Sequence, residues 1–404
     1  MKRENRWVYV VLGAAILMFA GVIYAWSVVS GPIAAEFAAW SKAGLSLTFT
    51  IAMICFCLGS LGAGFLTPRT SPRANLWVSA LLFLAGFFIS SRTQSLAGLY
   101  LGFGVLAGFG SGIAYNIVVS GVTKWYPEKQ GLVSGILLMG FGIGSFLIGK
   151  VFQACTPDAV GAWRTSFVYI GAVTAAVIFV CGTFLKRPEA GAGPGTDSGS
   201  KNGGDFKTGE MLKTPSFWLY YFWAIVLTAA GLAVISQASG IVREISPSVS
   251  GGTMATIVGL ISVFNGAGRI VFGGMFDRLG RARTMMTVNL LFVLTAGVLL
   301  LTLKTHSTVL LTAGFIITGL AYSGIPPTNS AFISRYYGQK HFPLNYPVVN
   351  TNMLFSSFGS AIAGSLYDGS GTYVSTFLMI AVCAVLGILS ALGISAADRH
   401  AKQS

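Results

Sequence analysis

Residues 252–276 read GTMATIVGLISVFNGAGRIVFGGMF. As a helix, the run is long enough to cross about 30 Å of hydrocarbon. Its one charge is Arg269. An arginine at that depth costs roughly 2.5–3.5 kcal/mol on insertion scales. A chain keeps such a residue where something negative meets it, and a planar guanidinium grips one carboxylate with two parallel hydrogen bonds. The run predicts a membrane helix that carries a site for a small organic anion.

Similar stretches lie on both sides of it. The chain is 54% hydrophobic and 9% charged, far from the composition of a soluble domain. Apolar runs fall at roughly 7–30, 44–66, 74–91, 97–123, 130–151, 165–185, 215–241, 252–276, 284–303, 308–334, 343–367 and 372–395. Lipid offers no hydrogen bonds to the backbone, so each run predicts a helix. Barrel strands would be half as long and would alternate with polar residues. The expected fold class is an all-α integral membrane protein with twelve transmembrane helices.

The net charge of +14 does not mark a nucleic-acid binder, because of how it is distributed. With the amino terminus placed inside, 19 of the 26 Lys and Arg fall on the cytoplasmic side. They include Lys2, Arg3, Arg6, Arg69, Arg73, Lys124, Lys129, Lys186, Arg187, Arg278, Arg281, Arg283, Arg335, Lys340, Arg399 and Lys402. Six lie opposite: Lys42, Arg92, Lys150, Arg164, Arg243 and Lys304. This positive-inside bias puts both termini in the cytoplasm, with the lipid bilayer as partner and the cytoplasmic (inner) membrane as location. No cleavable leader is expected, because the first apolar run is too long for a signal core. Cys55, Cys57, Cys155, Cys181 and Cys383 show no zinc-type spacing, so no metal is expected.

The segment 186–214 holds a Gly-, Ser- and Lys-containing stretch of flexible-linker composition. It predicts a bundle over 1–185, a cytoplasmic linker over 186–214 and a second bundle over 215–404, with six helices in each bundle. Two landmarks recur. Lys124-Trp125-Tyr126-Pro127-Glu128-Lys129 is answered 211 residues later by Arg335-Tyr336-Tyr337-Gly338-Gln339-Lys340. Gly64-Phe65-Leu66 with Arg69 and Arg73 is answered 210 residues later by Gly274-Met275-Phe276-Asp277-Arg278 with Arg283. Matching offsets argue for an internal duplication. Such halves are expected to pack about a pseudo-twofold, with the substrate near mid-depth.

Gly273-Gly274-Met275-Phe276-Asp277-Arg278-Leu279-Gly280-Arg281-Ala282-Arg283 resembles the loop motif of the major facilitator superfamily. Trp125-Tyr126-Pro127-Glu128-Lys129-Gln130-Gly131-Leu132 resembles the helix 4–5 junction of its bacterial oxalate–formate antiporter and monocarboxylate transporter branch. Gly21-Val22-Ile23-Tyr24-Ala25-Trp26 and Phe264-Asn265-Gly266-Ala267-Gly268-Arg269 fit the same branch. The resemblance implies alternating access by rocking of two halves.

The residues themselves refine that expectation. No Asp or Glu lies well inside any span, so an anionic substrate is the natural counter-ion of Arg269. A single buried cation suits one carboxylate, and a second would stay unpaired at low dielectric. In the antiporter a lysine supplies a second cation, and the matching position here is Asn352, which favours monocarboxylates of lactate or pyruvate type. Asn265 lies one helical turn before Arg269, placed to orient the guanidinium or the substrate. In animal monocarboxylate carriers the matching position resembles an aspartate linked to protons. By the same resemblance Tyr24, Tyr115 and Tyr322 match tyrosines that line the antiporter's cavity, and Phe141 replaces another. Asn116, Tyr346, Asn350 and Phe355 complete the candidate binding set. Asp277, Arg278 and Arg281 are implied as a cytoplasmic latch, whose first-half copy has Thr67 in place of the aspartate.

Close-spaced glycines on the fourth and fifth spans read as helix packing, not as a nucleotide loop. His306, His341 and His400 sit in loops or the tail, and no catalytic set or cofactor fingerprint is present, so no enzyme is expected. The expectation is a monomeric, proton-coupled carrier of small monocarboxylates, with organic-anion exchange of oxalate–formate type as the alternative.

Overall fold

The structure, a computed structural model, describes residues 6–40, 42–67, 69–157, 159–186 and 205–400. The expectations placed on Lys2, Arg3, Arg187, Lys402 and linker residues 187–204, and on the side chains of Lys42, Arg399 and His400, lie outside it.

Among the described residues the chain is helical throughout its apolar runs. The first six helices are α1 (Trp7–Glu36), α2 (Leu47–Leu66), α3 (Pro72–Arg92), α4 (Leu96–Trp125), α5 (Gln130–Cys155) and α6 (Trp163–Phe184). α7 is Pro215–Ile245. Gly252–Thr305 is one continuous helical stretch, interrupted at Gly280, whose φ of 78° and ψ of 178° are non-helical. A side chain at that φ would be strained, so glycine makes the break possible. It separates α8 (251–279) from α9 (281–305). α10 is Thr308–Tyr337, α11 covers 342–370 and α12 is Val374–Ala397. Among the described residues ten stretches are long and apolar enough to cross a membrane. The longest holds two of the expected spans and α11 is broken into shorter pieces, which accounts for all twelve.

Among the described residues, α1, α4 and α11 depart from regular winding in ways that bear on the site. α1 passes through a 3₁₀ segment at Gly21–Ala25. The Ser111 hydroxyl donates to the Ala20 carbonyl at 2.8 Å, intruding on the local ladder. α4 carries a π run at Tyr100–Ala107. α11 divides into Phe342–Asn350, Asn352–Ser356 and Phe358–Ser370. Pro347 lies in its first piece and has no N–H for the carbonyl of Pro343, four residues back.

The chain forms two compact units. Unit 1 comprises Met1–Glu128, Ile136–Gly199 and Gln339–Val348. Unit 2 comprises Lys129–Gly135, Ser200–Gly338 and Val349–Ser404. Each unit thus contains a short strip from the opposite half of the sequence. In unit 1, α3 packs on α6, α2 on α4, and α1 on α4 and α6. In unit 2, α10 packs on α8 and α9, and α12 packs on α7. The core is aliphatic and aromatic, with Phe83, Phe87, Phe103 and Phe167 buried in unit 1 and Trp223, Tyr220 and Phe217 in unit 2. Of the cysteines, Cys55 and Cys57 are buried, Cys181 and Cys383 are half-buried, and Cys155 is exposed.

Candidate functional site

Arg269 lies in α8, ten residues before its end, and is 8% exposed. Its Nε donates to Asn265 Oδ1 at 3.4 Å, across one helical turn. The contact follows from the four-residue spacing, which puts both side chains on one helical face. The amide holds the guanidinium without neutralising it. Tyr322 of α10, 6% exposed, lies within the electrostatic reach of Arg269. Its ring packs against the backbone of α7 at Gly231, where a Cβ would come within 2.4 Å of Tyr322 Cδ2. The first turn of α5 also reaches this place: a Cβ on Gly135 would lie 2.4 Å from the Arg269 carbonyl oxygen. Unit 2 therefore assembles a buried cation, an amide and a phenol.

The other candidates of unit 2 make contacts of their own. Asn350 Oδ1 accepts from Asn329 Nδ2 at 3.2 Å, and Asn329 Oδ1 accepts from the Tyr220 hydroxyl at 2.8 Å. Asn352, 1% exposed, donates to the Val349 carbonyl at 2.7 Å and so bonds within its own helix. Phe355 is exposed, with its ring edge toward Tyr221 at 6.4 Å.

Unit 1 gathers the remaining aromatics. Phe141 of α5 sits between Tyr24, at 5.4 Å, and Tyr115, at 5.1 Å, each edge-on. Phe49 and Phe56 of α2 extend the cluster, at 5.9 Å from Tyr24 and 5.1 Å from Tyr115. The Tyr115 and Tyr346 hydroxyls share a hydrogen bond of 2.8 Å, and their rings are stacked. Asn116 Nδ2 donates to the Ser60 carbonyl at 2.7 Å and to the Pro343 carbonyl at 2.9 Å. The latter is the carbonyl that Pro347 leaves without its helical donor, so Asn116 completes a broken ladder.

The loop residues also separate. The Asp277 carboxylate accepts from the backbone N–H of Gly131 at 2.9 Å and of Leu132 at 2.7 Å. These amides open α5, where the helix has no internal acceptors for them and its dipole favours an anion. Gly131 and Gly273 make the approach possible: a Cβ on either would meet the other's carbonyl oxygen at 2.3 or 2.0 Å. Arg281 is buried and lies over the Tyr336 ring at 4.8 Å, whereas Arg278 is exposed. Thr67, in the first-half copy, spends its hydroxyl on the Ala63 carbonyl at 2.7 Å.

Sequence reasoning did not mark Asn329, Tyr220, Phe49, Phe56 or Ser60. Pro347 was the one available signal, because an unfilled carbonyl inside an apolar helix calls for an outside donor.

The profile of the Major Facilitator Superfamily matches residues 10–341 and, in a second match, 241–404. The oxalate:formate antiporter of Oxalobacter formigenes is 29% identical over 372 residues, covering 89% of this chain and 85% of that protein. Monocarboxylate transporter 12 of Mus musculus is 30% identical over 141 residues, covering 35% and 28%. In fold, the chain is similar to the proton:xylose symporter XylE at a TM-score of 0.78 and 14% identity, covering 97% and 95%.

Proposed function

The chain belongs to the Major Facilitator Superfamily, and from that premise we propose that it carries a small monocarboxylate across the cytoplasmic membrane by alternating access, together with a proton. The observation that carries this reading is the buried Arg269, held by Asn265 and flanked by Tyr322. One guanidinium binds one carboxylate in bidentate fashion, and the amide and phenol supply neutral orienting contacts. Lactate and pyruvate fit this chemistry. A cotransported proton makes the cycle electroneutral against an inside-negative potential. Both termini face the cytoplasm in this reading, and Asp277 grips α5 while the cytoplasmic end is closed.

Exchange of one organic anion for another is the second reading, favoured by the antiporter found among the relatives. Uptake of labelled lactate into proteoliposomes tests both. Arg269→Ala is expected to cut uptake by roughly 10²–10⁴-fold, the loss of two charge-assisted hydrogen bonds of about 1.5–3 kcal/mol each. Undiminished uptake by that variant would remove the proposal. Symport predicts that an acid-outside pH step drives uptake into empty vesicles, whereas exchange requires internal anion.

A further inference from the structure

At the end where α1 finishes and α6 begins, a carboxylate ties three helices of unit 1. Glu36, the last residue of α1, accepts from Trp163 Nε1 at 2.6 Å and from the Arg164 guanidinium at 2.7 Å. Arg164 also donates to the carbonyls of Ser91 and Thr93, where α3 ends, at 3.0 and 2.8 Å. Its guanidinium lies over Trp163 at 4.7 Å and Phe37 at 5.6 Å. The Glu36 and Arg164 side chains are 16% and 21% exposed, which keeps the ion pair out of bulk water.

Unit 2 repeats the arrangement at the corresponding end of α7. Glu244, next to last in α7, accepts from the Thr372 hydroxyl at 2.6 Å and from the Tyr373 N–H at 3.2 Å, where α12 begins. The Tyr373 hydroxyl donates to Gln237 of α7 at 3.2 Å. The spacing follows the duplication. Glu244 stands 208 residues after Glu36, and Tyr373 stands 210 after Trp163. Each of these partners comes two residues after a glycine of positive φ, Gly161 at 80° and Gly371 at 69°. The two braces differ in one respect. Val374 takes the place that corresponds to Arg164, so the second carboxylate is held by neutral donors.

We propose that Glu36 and Glu244 are a duplicated pair of positioning residues, each fixing the far end of its half's first helix to the start of the sixth. In α1 the need follows from the 3₁₀ turn at Gly21–Ala25, which separates Trp26–Glu36 from the rest of the helix. That upper segment is held at its end by Glu36, and Tyr24 lies within the turn below it. The inference does not depend on the identity of the substrate.

Hydrogen exchange measured by mass spectrometry on the full chain in nanodiscs tests it. Glu36→Ala is expected to speed exchange of amides 26–36 by on the order of tenfold through local opening, leaving 241–246 unchanged. Glu244→Ala is expected to do the reverse. The conservative variants separate positioning from general destabilisation. Glu36→Gln loses the ion pair and falls between wild type and Glu36→Ala, whereas Glu244→Gln keeps an acceptor for Thr372 and stays close to wild type. Arg164→Lys, which keeps the charge but loses the fork to Ser91 and Thr93, serves if the alanine variant does not fold, and it too should loosen 26–36. Unchanged exchange at 26–36 in every Glu36 and Arg164 variant, or equal effects of the two Gln variants, would overturn the proposal.

Discussion

An amide oxygen, that of Asn265, accepts from the Nε of Arg269. Asn265→Asp changes that relation. The introduced carboxylate would sit one turn from the guanidinium and compete with the substrate for it. Lactate uptake by this variant into proteoliposomes is expected to fall well below wild type. Uptake equal to wild type would count against the amide's orienting role. The triad of Arg269, Asn265 and Tyr322 was legible in the sequence because two members share a helical face and the third came by resemblance. The fates of Asn350 and Asn352 were not legible. One is held by Asn329 on a separate helix and the other turns back on its own backbone, and no spacing rule announces either bond.

Helix length was legible everywhere, because hydrocarbon thickness fixes it, but helix interruption was not. α1 loses its regular winding where a serine from α4 reaches Ala20, and that serine is ninety-one residues away. In α11 the interruption leaves a carbonyl that Asn116 fills, an interhelical contact that reads in sequence only as one polar residue in an apolar span. Asn116→Ala is expected to destabilise the protein by about 1–3 kcal/mol, the cost of a buried polar group left without its partner. Asn116→Leu should be no better despite its greater apolarity. Thermal unfolding in detergent followed by intrinsic fluorescence would show it. Asp277 acts at the same level, as an acceptor for two amides at the start of α5. Asp277→Ala should cost about 1–2 kcal/mol by loss of the cap and its charge, and Asp277→Asn less, because one oxygen still accepts. If Asp277→Asn unfolds at the wild-type temperature, the charge contributes nothing there.

Across the whole molecule, the duplication was legible from two offsets, and the paired carboxylates Glu36 and Glu244 extend it to a place where the residues around them have diverged. What the sequence did not disclose is the exchange of strips, 339–348 built into unit 1 and 129–135 into unit 2. The reason is physical: the glycines and amides that accept each strip are ordinary membrane-helix residues until the strip is seated on them. A chain cut within 187–204 and made as two fragments would therefore yield pieces that are each missing part of their own interior. Fragment 1–186 alone would leave Tyr115 and Asn116 without Tyr346 and the Pro343 carbonyl, and fragment 205–404 alone would leave Asp277 without the amides of α5. Co-expressed, the fragments should co-purify and protect each other from proteolysis. Produced separately, both should be degraded. The same mutual dependence means that translation of the first half ends with a fold still waiting for ten residues not yet made.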